Sequence, residues 1–286
     1  MSLWKYYNHA VLPTTAPHER VDTSPIRDGT IWNGGGWKDA ILARWTEDYD
    51  CGTETEFWYV IKDTPFDIGT LKSKRRYEIT KGIKNFRVER ICPREYTEEI
   101  FKVAVAAFEA YPAKYRPHLD KQRFIEDVKA WEEQGFIIYG AFYKETDELC
   151  GYAHIVEHEE WGEFPVLKTV PAMEKFGVNA AIVHTILTDA NEKLGSGYYL
   201  CDGARAISHE SAFQDYLEKY FGFRKAYCKL RIVYKPKYKI VIKLLYPFRK
   251  LLNKLDGVRL IHLVNGVLRM EYIIRKQEKN ERKANR

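Results

Sequence analysis

The sequence has no paired cysteines to offer. Cys51, Cys92, Cys150, Cys201 and Cys228 are odd in number and widely spread, with no CxxC among them. This spacing excludes a zinc ribbon or a disulfide scaffold and reads as small buried thiols of a reduced compartment. Long apolar runs are missing too, since no stretch reaches the ~18 residues of a spanning helix. The opening MSLWKYYNHAVLPTTAPHERVD lacks the apolar stretch of a signal peptide. The expectation is a cytoplasmic protein. No internal repeat is visible, and no Lys-Ser or Lys-Thr follows Gly34-Gly35-Gly36, so that run reads as a turn between aromatic anchors and not as a phosphate loop. No metal-ligand set and no nucleophile–His–Asp arrangement stands out.

What is present is enough for a core. Of 286 residues, 45% are hydrophobic and 14% aromatic, while 30% are charged, which excludes disorder throughout. The net charge of +6 hides an asymmetry: residues 236–286 hold 14 Lys and Arg against 4 Asp and Glu, and the rest 32 against 36. A basic tail on a mildly acidic body speaks to partners and not to fold.

Residues 1–30 read as an arm or loop, and Glu56–Ile61 has strand composition. From residue 75 the pattern is orderly. Phe86–Ile91 alternates as a strand; Thr97 can cap a helix carrying Ile100, Val103, Ala107 and Phe108, and Asp120 caps another with Phe124, Val128 and Trp131. Phe136–Tyr143 and Leu149–Val156 form a hairpin, and Phe164–Val170 is a further strand. Asn179 opens a third helix, Tyr198–Cys201 is a short buried strand, Ser208 caps a fourth helix and Ala226–Tyr234 alternates. The order β-α-α-β-β-β-α-β-α-β defines an α+β class: a mixed, mostly antiparallel sheet flanked by helices. Three regions follow: an N-terminal aromatic extension over 1–74 that packs on the core, a central domain over 75–235, and basic amphipathic helices over 236–286. Phe164–Val170 and Tyr198–Cys201 are expected side by side and splayed at one end.

That order, with Leu149-Cys150-Gly151-Tyr152-Ala153-His154 and Leu217-Glu218-Lys219-Tyr220-Phe221-Gly222-Phe223, resembles the GNAT acyltransferase superfamily over about residues 75–235. Lys74-Arg75-Arg76 with Lys81-Gly82 is similar to the basic segment of the branch allied to Fem-type aminoacyltransferases. The resemblance implies an N-acyltransferase using acetyl-CoA or another acyl-CoA, and an amine acceptor such as an amino sugar or a lipid-linked cell-envelope precursor. It places the donor's pyrophosphate on Gly177, Val178, Asn179, Ala180 and Ala181, where backbone N–H groups converge at a helix start. Two departures stand in this sequence: Glu174 opens the pyrophosphate loop, and Glu218 occupies the place of the family's tyrosine acid. Two alternatives stay open, a Fem-type enzyme using aminoacyl-tRNA and a non-catalytic scaffold.

The densest chemistry lies in Asp202-Gly203-Ala204-Arg205-Ala206-Ile207-Ser208-His209-Glu210, between a strand end and a helix start, where such sheets bind ligands. Arg205 and Asp202 are candidates for substrate binding, Arg205 as a bidentate anion clamp. His209 is a candidate base with Glu210 beside it, although both also suit a helix N-terminus. Glu157 and Glu159, at the end of the hairpin strand, are candidate carboxylate bases, or members of a solvated loop. Arg75 and Arg76 can receive phosphates. His154 and His184 read as core histidines. The tail mixes Ile240, Leu244, Leu245, Leu251 and Leu252 with lysines. It suits either an anionic membrane surface, placing the protein at the inner face of the membrane, or packing on the body.

Overall fold

The computed structural model describes residues 3–33, 37–113, 116–207 and 212–284. It shows a mixed α/β fold whose ten strands hydrogen-bond in the order β1-β2-β3-β10-β4-β9-β8-β7-β6-β5, mostly antiparallel. The chain divides into two compact units, one of Val60–Gly203 and Ala212–Arg224, the other of Met1–Tyr59, Ala204–Ser211 and Lys225–Arg286. These boundaries differ from the 74/75 and 235/236 divisions read from composition, because the second unit joins segments far apart in sequence.

In the first unit, β5 (Phe86–Arg90), β6 (Phe136–Tyr143), β7 (Glu148–Glu157) and β8 (Trp161–Thr169) form an antiparallel meander. Helices α3 (Thr97–Glu109) and α4 (Lys121–Ala130) cover one face, with Ile100, Val103, Val128 and Trp131 packed on Ile138, Phe142 and Tyr152. The Asp120 carboxylate accepts the Arg123 N–H at 2.8 Å, the N-cap that the sequence promised. Thr97 is not a cap: a 3-10 turn over Pro93–Tyr96 leads in, and Tyr96 takes the cap position.

Helix α6 (Val178–Ala190), preceded by the short α5 (Pro171–Glu174), is buried on most sides. A Cβ on Gly151 would lie 3.0 Å from Ile182 Cδ1 and 3.2 Å from Val178 Cγ2, so glycine is what lets α6 settle on β7. Helix α2 (Ser73–Asn85) was not foreseen. Its charged sequence buries Ile79 and Gly82, and the helix packs on α6 with Gly82 against Gly177 and Ala181. β9 (Tyr199–Ala204) and α7 (Ala212–Phe221) complete this unit apart from Ala204.

The second unit corrects the reading of residues 1–30 as an arm. β1 (Trp4–Tyr7) and β2 (Ala10–Pro13) form a hairpin around Asn8 and His9, both with positive φ, and α1 (Ser24–Arg27) follows. Trp4, Val11, Ile31, Ala40 and Ala43 form their own core. β2 runs parallel to β3 (Leu42–Glu47), and β3 is antiparallel to β10 (Arg224–Tyr234). The tail forms α8 (Pro236–Leu245), α9 (Arg249–Lys254) and α10 (Arg259–Ala284). In the C-terminal half of α10, Ile273 packs with Phe57, Cys228 and Leu230, and the buried Gln277 accepts the Leu230 N–H through Oε1. The remaining strand, β4 (Phe57–Lys62), carries the division between the units.

Candidate active site

β8 and β9 run parallel, but their register covers Trp161↔Tyr199, Gly162↔Leu200 and Glu163↔Cys201 and, among the described residues, ends there. Beyond that point β8 keeps its pairing with β7 as far as Thr169. Two parallel strands that part in this way expose backbone polar groups along the opening, which an extended ligand can satisfy. Just past the last pair β9 passes through Gly203, whose φ of +112° is readily open only to glycine.

Asp202 is the first residue of β9 past the paired segment. Its carboxylate accepts a hydrogen bond from Gln214 Nε2 of α7 at 3.2 Å. Burial pushes its pKa up from 3.8 to about 7, a rise that the Gln214 bond opposes. A carboxyl group poised near neutrality at a strand end has the properties of a general base. An aromatic row adjoins: Phe164 of β8 meets Phe213 edge-on at 6.0 Å, Phe213 stacks on Tyr216, and Tyr216 reaches Tyr220 at 5.0 Å. Burial, with Tyr220, Glu78 and Glu174 nearby, raises the Tyr216 phenol, which stays protonated through the neutral range.

The other sequence candidates are scattered. Glu157 ends β7, pairs with Lys193 at 2.9 Å and shares a row with Gly162 and Leu200, so it stands where β8 and β9 are still joined. Glu159 lies in the exposed turn between β7 and β8. Arg205 belongs to the second unit, where its guanidinium lies 4.5 Å from the Trp58 ring centroid and donates to the Glu56 carbonyl, while its N–H donates to the Trp58 carbonyl. Arg76 donates to the carbonyls of Leu71 at 3.0 Å and Gly69 at 3.2 Å, bracing the turn before α2, and Arg75 is half-buried on the same helix. His209 and Glu210, with Ser208, lie outside the described residues, as do the three glycines at 34–36.

Gly177, Val178, Asn179, Ala180 and Ala181 do sit at the start of α6, but α2 packs over them. A Cβ on Gly82 would stand 2.4 Å from the Gly177 carbonyl oxygen and 3.0 Å from the Ala181 nitrogen. Asn85 Nδ2 donates to the Phe176 carbonyl at 3.0 Å, and Asn179 Oδ1 accepts from the Thr169 hydroxyl. Val178, Ala180 and Ala181 are buried. The geometry of a helix start is present, while the approach to it is filled by the chain's own backbone.

His154 is a core residue, as expected. Its ring lies 4.0 Å from that of Trp131, with Phe136 and Tyr152 around it, and its buried Nε2 has no hydrogen-bond partner among the described residues. Burial lowers its pKa to about 3, so the imidazole is neutral. Sequence reasoning named Asp202 only as a binding residue, read Phe213 only as part of a helix face and Gly82 only as part of a basic segment, and passed over Gln214. The one available signal was the i, i+3, i+7 aromatic spacing of Phe213, Tyr216 and Tyr220.

No protein-family model matches the sequence, and a search of curated proteins finds no match. Solved structures do match in shape. FemX superposes with a TM-score of 0.52 and 10% identity, covering 83% of this chain and 85% of that one. L-PGS from Bacillus licheniformis gives 0.47 and 14%, covering 81% and 79%. The fold is therefore of the kind seen in FemX.

Proposed function

We propose that the protein transfers an acyl group to an amine, with Asp202 as the base that takes the amine's proton. The observation that carries this reading is the Asp202 carboxyl, held near neutrality where β8 and β9 part. The attacking nitrogen bonds to the acyl carbonyl carbon, its proton passes to Asp202, and the leaving group departs from the same carbon. Gln214 fixes the carboxylate through its amide N–H. Backbone N–H groups at the opening supply donors for the oxyanion.

The covered start of α6 favours an aminoacyl ester as donor over a CoA thioester, because a pyrophosphate needs the close backbone approach that Gly82 of α2 occupies. The acceptor is an amine, of the amino-sugar or cell-envelope class that the resemblance implies. A thermal-shift panel of acetyl-CoA, longer acyl-CoAs and charged tRNA separates the donors. A ligand at 100 times its Kd stabilises by about 2.7 kcal/mol. A shift with charged tRNA alone supports this reading, a shift with an acyl-CoA restores the thioester donor, and no shift with any of them leaves the scaffold alternative.

A further inference from the structure

The tail divides into a packed part and an unpartnered one. Leu244, Phe248, Leu251, Leu255 and Val258 are each half or more exposed. Leu244, Phe248 and Leu251 recur at spacings of four and three through α8, the 3-10 turn over Tyr246–Phe248 and α9, the spacing of one helical side, and Leu255 and Val258 follow in the turn after α9. Ile240, four positions before Leu244, extends the stripe at its start and is exposed as well. Lys239, Lys243, Lys250 and Lys254 recur at four, seven and four, forming a second exposed row beside it. None of these lysines has a carboxylate partner among the described residues. The one acid between residues 236 and 270 is Asp256. Its carboxylate is bonded to Asn265 Nδ2 at 2.7 Å and His262 Nδ1 at 2.9 Å. The inward side is already filled: Ile242, Asn265 and Leu268 are buried.

We propose that this face docks on an anionic lipid bilayer. A continuous apolar stripe is favoured in the acyl boundary, and long lysine stems let the ammonium groups reach the phosphates while the stripe is immersed. No described helix is long and apolar enough to cross a membrane, so the face lies in the interface and does not span it. A second copy of the chain is the poorer occupant, because it would bring two unneutralised lysine rows together. The inference stands independently of the chemistry proposed at Asp202.

The test uses the full chain with sedimenting vesicles of phosphatidylcholine alone or with one third phosphatidylglycerol. Binding is expected to the anionic vesicles at low salt and release at high salt, as the screening length contracts. Replacing Lys239, Lys243, Lys250 and Lys254 by Gln should weaken partitioning by about fivefold per lysine. Replacing Leu244, Phe248 and Leu251 by Ser should abolish it with an unchanged thermal melt, since those side chains are exposed. Absence of vesicle binding, or equal binding by the Ser variant, overturns the proposal. So does a concentration-dependent dimer that the Ser substitutions dissolve without any vesicle binding, which would assign the face to a second copy.

Discussion

The two compact units are built on opposite principles. Val60–Gly203 with Ala212–Arg224 is nearly continuous, and its strands pair with sequence neighbours in a meander before a single crossover through α6. The other unit gathers a hairpin at residues 4–13, a strand near residue 230 and a helix ending at Ala284. Each piece has too little apolar surface to persist alone, so each is stabilised by partners distant in the chain. Local periodicity foretells the first kind of unit and is nearly silent about the second.

The contrast can be pressed hardest at Asp202. Asp202→Asn keeps the shape and removes the base, so turnover with the donor that binds should fall by about 10²–10⁴-fold while donor binding persists. Steady-state rates with a parallel thermal shift check this, and an unchanged rate removes Asp202 from the chemistry.

Next in size is the dependence of the second unit on its distant helix. Ile273 is 4% exposed and packed on Phe57, Cys228 and Leu230. Ile273→Ala should destabilise by about 2–5 kcal/mol in urea unfolding. Leu263→Ala, at an exposed position of the same helix, should lie within about 0.5 kcal/mol of the parent. Similar losses at both positions would show that the two sides of α10 are packed alike.

Gly82→Ala probes the contact between α2 and α6. The added methyl meets backbone at 2.4 Å, so a loss of about 1–3 kcal/mol is expected. An acyl-CoA thermal shift appearing only in this variant would show that α2 guards the α6 start. A neutral substitution would mean that the two helices part readily.

The pH dependences of two buried groups have opposite signs. Asp202 is raised from 3.8 to about 7, so across that window the native state binds more protons than the unfolded chain and stability falls as pH rises. Asp202→Asn should remove that slope, gaining roughly 1–4 kcal/mol above neutrality and nothing in acid. His154 is lowered from 6.5 to about 3, so the unfolded chain binds more protons there and stability falls as pH drops. His154→Phe should flatten that acid limb. Chemical denaturation at pH 5 and pH 8 reads both, and parallel curves for parent and variants would refute the assigned environments.

Much of the candidate site is legible in local sequence patterns. Tyr198–Cys201 shows as a buried strand, Asp202 stands at its end, and the helix after residue 208 is evident from Phe213, Leu217 and Tyr220. The site's chemistry is not legible there. Asp202 is a base candidate because of its burial and Gln214, and neither belongs to a local pattern. Arg205 looks available as a bidentate clamp, yet it is spent on Trp58 and the Glu56 carbonyl, partners almost 150 positions earlier in the chain.

The sequence by itself determined the meander, helices α3, α4, α6 and α7 of the first unit and the basic, amphipathic character of the tail. Alternation and helical spacing are properties of neighbouring residues, and burial of one face follows directly from them. Tertiary structure alone decided three things. It laid α2 over the start of α6 through a glycine-to-backbone contact that no side-chain pattern records. It drew Trp4 and Val11 into a core from a segment with the composition of a loop. It also sorted the tail, burying Ile273 and Gln277 and leaving Leu244 and Leu251 exposed, because apolar spacing marks which side of a helix seeks cover but not whether a partner is there to provide it.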